Sequence, residues 1–90
     1  PPDYSLVMSL THMTMNERNA RIASLDSIIQ KEARTLLALE EVFTAFGDLT
    51  EAQHNTFANA QHKHDEAAAA LSKMGVFCVS WEVFSKMHDK

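Results

Sequence analysis

Residues 22–74 read IASLDSIIQKEARTLLALEEVFTAFGDLTEAQHNTFANAQHKHDEAAAALSKM, and this stretch decides the fold. Ile22, Leu25, Ile29, Leu36, Leu39, Phe43 and Phe46 recur at alternating steps of three and four, with Glu32 in the same series. That spacing lines one stripe of a helix. Gly47-Asp48 interrupts it, and a second series follows: Thr50, Gln53, Phe57, Ala60, His64, Ala67, Leu71 and Met74. Folding the chain back at the break sets Leu39 against Phe57, Leu25 against Leu71, and Glu32 against His64. The pattern predicts an all-α fold built on a long antiparallel helical hairpin with one ionisable pair in its seam.

The boundaries follow from capping chemistry. Thr14-Met15-Asn16-Glu17 has the form of a capping box, so the first helix is expected over 15–46. Gly47 suits a left-handed cap. Asp48-Leu49-Thr50-Glu51 and Thr50-Glu51-Ala52-Gln53 are overlapping capping boxes, which predicts a second helix over 49–74, stopped by Gly75. Beyond it, residues 76–85 fit a short C-terminal helix or strand. Phe77, Val79, Trp81 and Val83 alternate as in a strand, yet Phe77, Trp81, Phe84 and His88 also share a helical face. The helix is preferred, because a strand needs a partner strand and the chain offers only its N-terminal segment.

Residues 14–90 are expected to form a single helical domain, and residues 1–13 an N-terminal extension. The opening Pro1-Pro2 is read as a processed, truncated or vector-derived start, the last because His12-Met13 is a pair that a common cloning site encodes. Ile28, Val42 and Leu37 lie beside the first seam or further round, whereas the second helix faces it mainly with alanines. Two helices cannot enclose that stripe. A homodimeric helical bundle, in which a twofold axis duplicates one patch, is the economical solution.

Composition narrows the function. With 90 residues and a net charge of −4, the chain is one small acidic domain at most. Glu40, Glu41, Asp48 and Glu51 surround the turn, and no Lys or Arg lies between Arg34 and Lys63. Such a tip repels phosphate backbones and favours a basic protein surface. The lone Cys78 precludes an internal disulfide and suits a reducing, cytoplasmic setting. No apolar run reaches the ~20 residues of a membrane span.

Candidate chemistry is sparse. Glu32 and His64 are read as a buried polar pair that sets register. Glu51-Ala52-Gln53-His54 matches the Glu-x-x-His element of di-iron bundles, so Glu51 and His54 are the candidate ligands of an alternative, metal-binding ferritin-like bundle. His62 and His64 project about 200° apart on a helix and cannot share an ion. Cys78 lacks a sequence partner that would mark a nucleophile, and no Gly-rich loop suggests a nucleotide site. Arg21-Ile22 through Leu25-Asp26 to Ile28-Ile29 resembles the opening of the all-helical chorismate mutases. That resemblance implies cationic residues on later helices, and after Arg34 only Lys63, Lys73, Lys86 and Lys90 follow, so the chain is read as no enzyme and as needing no cofactor.

A two-helix hairpin dimer also resembles, in outline, the small Rop proteins that bind paired RNA loops. RNA binding is a second alternative, disfavoured because Arg18, Arg21, Lys31 and Arg34 are interleaved with Glu17, Asp26 and Glu32. Protein binding is the preferred function: a small non-enzymatic regulator, inhibitor or adaptor acting as a hairpin dimer on a protein partner. Its contact residues are expected to be Met74, Phe77, Trp81, Phe84 and Met87, with Glu40, Glu41 and Glu51 at the acidic tip.

Overall fold

The computed structural model describes residues 13–88, in which three helices follow one another: α1 (Met15–Phe46), α2 (Glu51–Lys73) and α3 (Trp81–His88). No strand occurs among the described residues. The long helices pack antiparallel as a hairpin, and α3 lies against them. The N-terminal extension falls outside the described residues, apart from Met13.

Each boundary has a local cause. Thr14 Oγ1 accepts from the Glu17 N–H at 3.1 Å, starting α1. Gly47 ends it with φ of 79°, its N–H donating to the Phe43 carbonyl at 2.7 Å. A Cβ is disfavoured at that positive φ, so glycine suits the position. Of the two overlapping boxes, only Thr50–Gln53 forms. The Thr50 hydroxyl accepts from the Gln53 N–H, and Gln53 Oε1 accepts from the Thr50 N–H. Asp48 instead accepts from the N–H of Leu49, so α2 starts at Glu51 rather than 49. It ends in a Schellman motif: Gly75 donates to the Ser72 carbonyl and Val76 to that of Leu71.

The C-terminal segment is helical only from Trp81. Residues 76–80 form an irregular connection, because Gly75 takes a positive φ of 82° and turns the chain. Ser80 then starts α3, its Oγ accepting from the Val83 N–H at 3.4 Å and its carbonyl from the Phe84 N–H at 2.9 Å.

Burial follows the heptad. Leu36, Ala60, Ala67, Ala68 and Leu71 are buried, together with Glu32 and His64. Leu36, Ala60 and Trp81 form the core cluster, with Ala33, Phe57 and Phe84 packed on it. Leu36 against Ala60 is the register that places Leu39 against Phe57. Far from the turn, the guanidinium of Arg18 donates to the Met74 carbonyl at 2.9 Å and ties the open end of the hairpin.

Candidate interaction groove

The site is built where the hairpin runs out of partners for its own seam. Phe43 and Phe46 continue the apolar stripe of α1, but the facing positions of α2 are Gln53 and Thr50. Nothing of matching character covers them. Phe43 is 50% exposed and Phe46 81%. α3 packs beside this gap and leaves a groove of about 530 Å³. Leu37, Leu39, Phe43 and Leu49 line it from α1 and the turn, Phe57 from α2, and Trp81 and Phe84 from α3. Glu40, Thr44, His54 and Ser85 supply its polar lining. Glu41 borders a shallower depression with Leu37, Thr44 and Ala45.

Trp81 fixes one wall. Only 3% exposed, it stacks on Phe84 with ring centroids 5.2 Å apart and meets His64 edge-on at 5.5 Å. Its indole Nε1–H donates to Glu40 Oε1 at 3.2 Å, which turns that carboxylate toward the wall. Its backbone N–H donates to Asp65 Oδ1 at 2.8 Å. The same Asp65 oxygen lies 3.0 Å from His64 Nδ1. The buried imidazole is thereby held by its sequence neighbour. Glu32 and His64 are both in the seam, but no hydrogen bond or ion pair joins them. The expected pair is replaced by His64–Asp65, because Asp65 is fixed in place by the N–H that α3 presents.

The expected contact residues separate into groups. Glu40, Trp81 and Phe84 line the groove, and Glu41 sits beside it. Trp81 is a buried anchor rather than an exposed face. Met87 is exposed on α3, while Phe77, 87% exposed, lies in the connection before α3. Met74 is half-buried and its carbonyl takes the Arg18 bond at the other end of the hairpin. Glu51 is exposed in the first turn of α2. Leu37, Leu39, Phe43, Leu49 and Phe57 were not among the expected contacts. The mismatch of Phe43 with Gln53 and Phe46 with Thr50 is the sequence signal that marks this end.

At the turn, His54 Nε2 lies 3.3 Å from Asp48 Oδ1. The Leu49 N–H, then His54, hold the Asp48 carboxyl below its ordinary value against a slight opposing effect of burial. His54 therefore engages Asp48 and not Glu51. Among the described residues no three His, Cys, Asp or Glu side chains come together to hold a metal ion. His62 reaches only Glu66, at 2.8 Å and exposed. Cys78 is free and half-buried. No described helix is long and apolar enough to cross a membrane.

No protein-family model, curated protein or solved structure matches the chain.

Proposed function

We propose that this chain is a small non-enzymatic regulator, inhibitor or adaptor that works by seating apolar side chains of a protein partner in the groove between the hairpin tip and α3. The observation that carries this reading is the uncovered end of the seam. Phe43 is half-exposed and lines a groove walled by Trp81 and Phe84, and Phe46 is exposed further along α1. Exposed aromatics beside a concave apolar surface are the usual anchor sites of protein recognition. Charge supports a basic partner: exposed Glu41, Asp48 and Glu51 ring the same end, and no Lys or Arg intervenes between Arg34 and Lys63. The protein acts as a homodimer in this reading, with partner binding and self-association on separate faces.

Selection of peptides from a random display library on the immobilised protein tests the proposal. Trp81 is the chain's one tryptophan and lines the groove, so its emission reports occupancy directly. Selected peptides should combine aromatic or aliphatic residues with Lys and Arg. They should bind Phe43→Ser at least about tenfold more weakly than the parent. Peptides that bind Phe43→Ser and Leu37→Ser as well as the parent would remove the groove from consideration.

A further inference from the structure

A second cavity, of about 370 Å³, shares no residue with the groove under α3. It is lined by Leu25, Ile28, Lys31 and Glu32 from α1 and by Lys63, Glu66 and Ala67 from α2. Lys31 precedes Glu40 by two and a half turns at about 3.6 residues per turn, so it projects from the opposite side of α1. Glu40 is the residue that bonds α3 through Trp81. The second cavity therefore opens on the hairpin face that α3 leaves free.

Its charged groups are left open to the outside. Three described carboxylates are not exposed: Glu32, Glu40 and Asp65. Glu40 accepts from the Trp81 indole and Asp65 from the Trp81 backbone. Glu32, at 6% exposure the most buried of them, accepts from no group among the described residues. Its carboxylate oxygens still reach solvent, because no enclosed side-chain nitrogen or oxygen among the described residues lacks a hydrogen-bond partner, so a donor from outside the chain can approach them. Beside it, Lys31 and Lys63 are exposed, and neither pairs with a carboxylate among the described residues. The same cavity thus holds an acceptor lacking a donor and donors lacking an acceptor.

We propose that a second copy of this chain docks on this face about a twofold axis, with Lys63 of each copy donating to Glu32 of the other. This assignment rests on the dimeric part of the function proposed above and names its interface. A twofold axis brings one patch against itself, so the patch must be self-complementary. This one is: it carries both signs, an exposed Ile28 at its rim and Ala67 at its floor, where small size lets a second helix approach closely. The tip is not, since a copy seated there would oppose Glu40, Glu41, Asp48 and Glu51 with the same acids. The molecule measures 51 × 24 × 21 Å. Its long face is ample for the ~800 Å² per partner of a standard interface.

Charge exchange between chains tests this. Light scattering at tens of micromolar should give twice the 10.1 kDa chain mass for the parent. Glu32→Lys alone and Lys63→Glu alone should each raise the dimer dissociation constant more than about tenfold, by opposing like charges. Mixed one to one, the two variants should form heterodimers within about threefold of parental affinity, with homodimers rare in native mass spectrometry. A parent that is dimeric while both variants assemble normally would overturn this face and leave the dimer standing. A monomeric parent would overturn both, with the groove still open to its own peptide test. If Glu32→Lys loses its helical circular dichroism, Ile28→Glu with Lys63→Glu carries the test, since both positions are exposed. Undiminished dimerisation of that folded variant would equally overturn the proposal.

Discussion

Asp65 and Trp81 are joined by a 2.8 Å hydrogen bond from the backbone N–H of Trp81, the first residue of α3, to a carboxylate oxygen on α2. A helix cap is usually supplied by the residue before the helix. Here Ser80 does so for Val83, and an anion from another helix takes the N–H of Trp81. The negative charge also sits at the positive end of the α3 dipole. The same oxygen orients His64, so the docking of α3 and the setting of the buried imidazole are one event.

Removing that carboxylate should loosen α3 before it unfolds the hairpin. Asp65→Ala is expected to cost about 1–2 kcal/mol, from a lost cap and an unpaired N–H. Hydrogen exchange at Phe84 and Ser85 should accelerate while that at Leu36 changes much less. Asp65→Asn, which can still accept, should recover most of the loss. Equal acceleration throughout α1 and α3 would show that α3 is not held separately.

Leu36 is fully buried, and its neighbour Leu37 is about half exposed. Leu36→Ala should cost about 2–5 kcal/mol in urea unfolding. Leu37→Ala should stay within about 0.5 kcal/mol. Comparable costs at the two sites would contradict the register that sets Leu36 against Ala60.

His64 should be coupled to Asp65, not to Glu32. In double-mutant cycles, His64→Ala with Asp65→Ala should show an interaction of about 0.5–3 kcal/mol. His64→Ala with Glu32→Gln should come closer to additivity. The reverse order would mean that the imidazole spends its time on the α1 side of the seam.

Asp48 should titrate below the ordinary aspartate range, because the ionised form accepts from the Leu49 N–H and lies beside His54. A lowered folded-state value means that its contribution to stability is present above the unfolded value. It is lost as pH falls through the folded one. Carbon-detected NMR titration of the carboxyl should find this directly. His54→Ala should raise the value only part of the way, since the backbone donor is the larger cause. Full return to the ordinary range in His54→Ala would reverse that ranking.

Much of the fold was legible because α1 and α2 announce themselves twice, by the heptad and by caps. Thr14, Gly47, Thr50 and Gly75 each mark an end with a side chain or a φ that only a few residues supply. Leu36 and Ala60 in register needed nothing beyond the seam. The start of α3 was harder. Between Gly75 and Ser80 the sequence fits a strand as well as a helix, and tertiary contacts with Asp65 and Glu40 decide it. The partner of His64 was hidden for the same reason. The heptad says that Glu32 and His64 enter the seam, but which carboxylate meets the imidazole depends on a backbone N–H sixteen residues downstream of Asp65. The groove was legible in part, through the polar residues opposite Phe43 and Phe46.

The middle of the seam is asymmetric: α1 brings Leu36 and Ile29 to it, whereas α2 brings Ala60 and Ala67, with Ala68 buried nearby and the bulkier Phe57 and Leu71 only toward the two ends. One helix supplies volume and the other supplies proximity. The two strips should therefore drift under different rules over evolutionary time. Positions on α1 can exchange one branched aliphatic side chain for another of similar size. Ala60 and Ala67 can scarcely enlarge without driving the helices apart and, through Ala60, lifting Trp81 out of the core. Among divergent sequences sharing this architecture, the alanine ladder of α2 should outlast the apolar identities of α1 and serve as the more durable signature.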